Sequence, residues 1–155
     1  MIDSPFHTRN DRGMTPLFKE IERHLEYYGY QVRFEDGVLK ASHLSKPIFW
    51  VHSAGSGALF IALYVLGSSG KSDRLAVLEF VNKGNRMSVI SRFVYDADYM
   101  TVNAWIPGNY GKDTFSEFFD QYMRDIFAPA NDDSEMVKRL FWEPKPSTEI
   151  PGLEG

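Results

Sequence analysis

Gly70-Lys71-Ser72 stands where a phosphate-binding loop would stand, between an apolar strand and a helix. Such a loop wraps phosphate oxygens with successive backbone N–H groups, and its signature needs another glycine five positions before Gly70. That position is Val65, inside the strand. Only Gly67 to Gly70 remain to do the wrapping. The segment therefore reads first as a strand-to-helix connection with Ser72 as a cap. A small-ligand or nucleotide-binding regulatory domain built on the Gly67–Ser72 loop is the rival reading.

The other reactive residue types give less. His7, His24, His43 and His52 include no i, i+4 pair of the kind that holds a metal on a helix. Gly55-Ser56-Gly57 reads as a flexible loop, not the strained elbow of a nucleophilic serine. Asp96 and Asp98 flank a hairpin turn, and acid–base work would need one of them buried to raise its pKa. The absence of cysteine excludes disulfides, thiolate nucleophiles and Cys-type zinc sites. No catalytic, cofactor-binding or metal-ligating residue is expected, and the chain is read as a non-enzyme. A small enzyme with its site in the concave face of a sheet would need a buried pair that the sequence does not show.

The elements that position these residues follow from pattern. Residues 1–14 are polar and read as an arm. Thr15-Pro16 opens a helix with Leu17, Ile21, Leu25 and Tyr28 on one stripe, stopped at Gly29. Tyr30 to Phe34 and Val38 to Ser42 flank a Glu35-Asp36-Gly37 turn. Strands over Ile48 to His52 and Ala58 to Leu66 follow, the last apolar on both faces as if covered twice. A helix capped by Ser72 or Asp73 ends near Asn82-Lys83-Gly84-Asn85, residues that suit a helix end.

Val89 to Tyr95 and Tyr99 to Ile106 alternate as a hairpin. Asp113 caps a third helix whose Phe115, Phe118, Phe119, Tyr122 and Met123 read as core, with Pro129 after its end. Ser134 opens a short last helix before a Pro-rich tail. The order is α-β-β-β-β-α-β-β-α plus a short C-terminal helix, an α+β fold with a mostly antiparallel sheet. The expected division is an arm over 1–14, one domain over 15–128, and a short helix and tail over 129–155.

Composition bounds the class. The 155 residues are 43% hydrophobic and 25% charged, as in globular proteins generally. Seventeen Lys+Arg against 21 Asp+Glu give a net charge of −4, which lacks the footprint of a nucleic-acid binder. No signal-peptide pattern and no run of membrane-spanning length is seen. A soluble, cytoplasmic protein without membrane partners is expected.

Leu78-Glu79-Phe80-Val81-Asn82-Lys83-Gly84-Asn85, the hairpin strands around Asp96-Ala97-Asp98, the aromatic last helix, and Tyr28-Gly29-Tyr30 leading to Asp36-Gly37 resemble the YbjN-like family. That family groups candidate bacterial sensory-transduction regulators with a type III secretion chaperone-like fold. The resemblance runs over about Thr15 to Phe127, and the Gly/Ser-rich loops and the tail depart from it. It implies a non-enzymatic domain, commonly a homodimer, that binds protein segments or modulates a regulatory pathway. The residues agree in two respects: they show no reactive constellation, and the second helix is apolar nearly all round and asks for a second partner. Leu75, Leu78 and Val81 are the candidate dimer contacts. Trp105, Leu17 and Ile21 are the candidate contacts to a protein client.

Overall fold

The computed structural model describes residues 13–96 and 98–141. The expectations for His7, for residues 1–12 of the arm and for the Pro-rich tail lie outside them. Among the described residues the order is α1 (Pro16–Tyr27), β1 (Gln31–Glu35), β2 (Val38–Ser42), β3 (Phe49–Ala54), β4 (Gly57–Val65), α2 (Ser68–Ser72), α3 (Arg74–Met87), β5 (Arg92–Asp96), β6 (Tyr99–Pro107), α4 (Lys112–Asp132) and α5 (Ser134–Phe141). The fold is α+β, as expected. Six strands form one sheet in the order β1-β2-β3-β4-β6-β5, and each neighbouring pair is antiparallel.

The helices lie on one face of that sheet. Alternate residues Leu39, Ala41, Phe49, Val51, Phe60, Ala62, Met100, Val102 and Ala104 point to that face and are buried. Phe115, Phe119, Tyr122 and Ile126 of α4 meet them, so the aromatic stripe is core. Each such ring, taken from water, contributes on the order of 2 kcal/mol. The Tyr122 hydroxyl, wholly buried, donates to the Val102 carbonyl at 2.8 Å. Two helix starts follow capping chemistry, whereas α4 starts from Gly111 without a side-chain cap and Asp113, expected as its cap, lies inside the first turn. Thr15 Oγ1 accepts from the Phe18 N–H at 3.2 Å, and Asp73 Oδ1 from the Ala76 N–H at 3.1 Å.

Three local readings change. Residues 68–72, expected as a loop and then a cap, form the short helix α2. The Gly67 N–H donates to the Leu140 carbonyl at 2.8 Å. A Cβ on Gly70 would lie 2.3 Å from that same oxygen. Gly70 is therefore where α5 docks, and the segment holds chain where a phosphate loop would hold an anion. Helix α3 does not end at Asn82–Asn85 but runs to Met87. A Cβ on Gly84 would meet the Phe93 ring at 2.7 Å, so this glycine serves close packing of helix on strand. Pro129 lies inside α4, not after it. A helix can pass a proline when loosened carbonyls find other donors. The missing N–H strands the Asp125 carbonyl, and the next carbonyl along, that of Ile126, accepts from the Tyr64 hydroxyl at 2.8 Å.

Asp125 is the buried acid, 1% exposed. Its carboxylate accepts from the backbone N–H groups of Val89, Ile90 and Ser91 at 2.9–3.0 Å and from the Gln121 amide at 2.9 Å. It thereby holds the α3–β5 connection against α4. Burial pushes its pKa up, but the donated hydrogen bonds outweigh that and keep it below the ordinary aspartate value.

Candidate protein-docking site

The two edges of the sheet are finished differently. Asp36 (φ 54°) and Gly37 (φ 79°) make the two-residue turn that closes β1 on β2 at the pair Glu35↔Val38. Such a turn needs positive φ at both central residues, which Asp-Gly supplies. The closing pair exchanges hydrogen bonds, and bonding then alternates along the strand. The N–H and C=O of Glu35, Arg33 and Gln31 therefore face β2, while those of Val32 and Phe34 face outward. Among the described residues nothing is hydrogen-bonded to those outward groups.

At the other edge the pair Asp96↔Tyr99 closes β5 on β6, which turns the backbone of Phe93 and Tyr95 outward. There the Phe93 N–H donates to Asn85 Oδ1 at 2.7 Å, and Asn85 Nδ2 donates to the Phe93 carbonyl at 3.0 Å. A side-chain amide thus takes the place of a neighbouring strand. Among the described residues the β5 edge is guarded at Phe93 though not at Tyr95, while the β1 edge is open at both Val32 and Phe34.

The face of the sheet opposite the helices is apolar in its middle. Leu59, Ile61 and Leu63 of β4 lie there half-buried, beside Trp50 of β3 and Trp105 of β6. Among the described residues no element covers them, and the second cover expected for β4 is not among those residues. Trp105 is 47% exposed, and its Nε1 donates to the Ala54 carbonyl at 2.8 Å. Trp50 Nε1 and Asn103 Oδ1 are buried there without a partner.

The residues singled out from sequence separate into two groups. Leu75 (69% exposed), Leu78 (36%) and Trp105 are on the surface. Val81 and Ile21 are not: both are buried in the chain's own core, Ile21 completely. The arc of α1 that packs inward is Phe18, Ile21 and Leu25, one residue round from the stripe expected, and Leu17 sits half-buried on its flank. Asp96 and Asp98 are exposed, as a solvated turn requires. Among the described residues no three His, Asp or Glu side chains come together as a metal site would need.

Leu17 lines a cleft of about 420 Å3 between α1 and the connection into α4, with Glu20, His24, Tyr110 and Lys112. The His24 ring stacks on Phe115 with centroids 4.5 Å apart. Burial lowers the His24 pKa, against the pull of Glu20, and raises that of Tyr110. His24 Nε2, 3.6 Å from the Glu20 carboxylate, and the Tyr110 hydroxyl are buried without a hydrogen bond among the described residues. The edge-guarding role of Asn85 had no local signal in the sequence, because its partner Phe93 belongs to another element.

No family model and no curated protein matches the chain. Several solved structures are similar to it, and two of them bear on the fold. One is YbjN, a candidate transcription regulator from E. coli, with TM-score 0.59 at 14% identity over 75% of this chain and 92% of that one. The fold is YbjN-like. The other is the heterodimeric ExoU–SpcU complex from the type III secretion system of Pseudomonas aeruginosa, with TM-score 0.50 at 19% identity over 81% of this chain and 99% of the other. The architecture is thus also that of a type III secretion chaperone. At these identities the likeness is one of fold. In this YbjN-like fold no described helix is long and apolar enough to cross a membrane.

Proposed function

We propose that the chain is a non-enzymatic, chaperone-like or regulatory module that binds an extended segment of a partner protein by strand addition at β1. The observation that carries this reading is the contrast between the edges. Outward N–H and C=O groups on Val32 and Phe34 offer two donors and two acceptors in strand spacing, while the equivalent groups on Phe93 are taken by Asn85. One of the structures of similar fold is a heterodimeric complex. Client contact continues, on this reading, onto the apolar sheet face that includes Trp105.

The test uses Val32→Pro. A proline is tolerated on an edge strand when the N–H it removes faces outward, so the fold survives while one docking donor is lost. Peptides selected from a phage-displayed random library against the full chain are the probe. Binding lost in Val32→Pro and kept in Leu75→Glu supports the reading. Binding that survives Val32→Pro, or a library that yields no binder, overturns it.

The chain is further proposed to form a homodimer through the outer face of α3, where Leu75 and Leu78 lie in water.

A further inference from the structure

We infer that the segment added at β1 carries an apolar–acidic–apolar pattern, with its acidic residue opposite Arg33. The inference rests on the strand addition proposed above and names the chemistry of the partner.

Arg33 and Lys40 are cross-strand neighbours on the open face. They share one carboxylate: Glu35 Oε2 lies 3.3 Å from Arg33 Nη1, and Glu35 Oε1 lies 3.1 Å from Lys40 Nζ. The Lys40 hydrogen bond holds the Glu35 carboxyl below its ordinary range, so it stays ionised. Asp36 in the turn brings the hairpin as a whole to zero net charge, but on the face Arg33 occupies two cations share the single carboxylate of Glu35. Arg33 is 55% exposed, with guanidinium donors to spare.

An added strand would place a side chain about 5 Å from Arg33, where an opposite charge stabilises and a like charge repels. The neighbours of that residue fall on the other face of the new strand, beside Val32 and Phe34. Both of those are half-buried against the core, and Phe34 meets Phe18 edge-on at 6.1 Å. Apolar residues fit there.

A second copy of β1 does not meet this requirement. Antiparallel pairing that uses the outward groups of both Val32 and Phe34 is centred on Arg33. It sets two Arg33 side chains directly opposite each other. The occupant is therefore a strand of different sequence.

Three synthetic peptides identical except for Asp, Asn or Lys between two valines test this. Each is titrated to millimolar concentration into the full chain while the amide resonances of Val32 and Phe34 are followed. The Asp peptide is expected to bind about five-fold more tightly than the Lys peptide, with Asn between them. Arg33→Glu, on an exposed side chain, should reverse the order. Equal binding of all three peptides, unchanged by Arg33→Glu, overturns the acidic preference and leaves strand addition standing. Absence of any shift at Val32 and Phe34 with all three peptides overturns strand addition at this edge, and the preference with it.

Discussion

The side chain of Asn85 is paired with the backbone of Phe93 through both of its amide groups, accepting at 2.7 Å and donating at 3.0 Å. The edge it closes is self-complementary. If two β5 strands paired antiparallel about Val94, Arg92 of each would face Asp96 of the other. Asn85→Ala should therefore cost about 1–2 kcal/mol for two partly exposed hydrogen bonds and should also release that edge. At matched concentration its mass by light scattering is expected to exceed that of the parent chain. Asn85→Asp, which can still accept but no longer donate, should lie between them. A mass for Asn85→Ala equal to the parent's would remove the guarding role.

Leu78 and Val81 are three residues apart on α3, yet one is 36% exposed and the other is packed inside. A charge at position 81 would report only on folding. A charge at position 78 reports on association. Leu78→Asp is expected to keep the parent's melting temperature within a few degrees and to run as a monomer of 17.8 kDa where the parent runs larger. A parent chain that is monomeric at all concentrations, or a variant with the parent's mass, rejects the α3 dimer.

Element order was legible because strand alternation and helical period are local signals. The misreadings occur where a distant contact overrides a local one. Gly84 and Asn85 are helix-ending types, but Phe93 needs the room of the first and the amide of the second, so α3 continues through both. Pro129 is a helix-breaking type that stays helical where Tyr64 reaches across from β4. Ile21 and Val81 stand on apolar stripes that suggest contact residues, but periodicity identifies a stripe without saying which part of it turns inward. The Asp36-Gly37 turn announced the β1–β2 hairpin. That β1 would be the open edge depended on β5 ending the sheet beyond β6, which no local pattern states.

Asp125 binds four donors and is charged in the folded chain. Asparagine there would lose the charge and set an amide N–H₂ against N–H groups. Asp125→Asn is expected to destabilise by about 3 kcal/mol, in the range for hydrogen bonds to a charged group. The sign of its pH effect follows from the lowered pKa. The stabilisation is present above the unfolded aspartate value near 3.8 and is lost as pH falls through the lower folded value. Denaturant titrations of parent and variant should converge in strong acid. A constant gap between them at every pH would mean that the charge contributes nothing.

His24 acts in a different pH window. Its ring lies against Phe115 and Tyr110, with Glu20 3.6 Å from Nε2 and Arg23 and Lys112 nearby. Burial lowers its pKa most, Glu20 works in the opposite direction, and the two cations add to the lowering. The folded chain thus prefers the neutral ring, while the unfolded chain takes up a proton near pH 6.5. The stabilisation is complete above that pH and diminishes as pH falls through the folded value. His24→Phe keeps a ring against Phe115 and removes the titration. Between neutrality and roughly pH 5 the parent's melting temperature should fall more steeply than that of His24→Phe. Parallel curves would show that His24 is protonated as easily in the folded chain as in the unfolded one, and the packing of α1 against the start of α4 would then not depend on its neutrality.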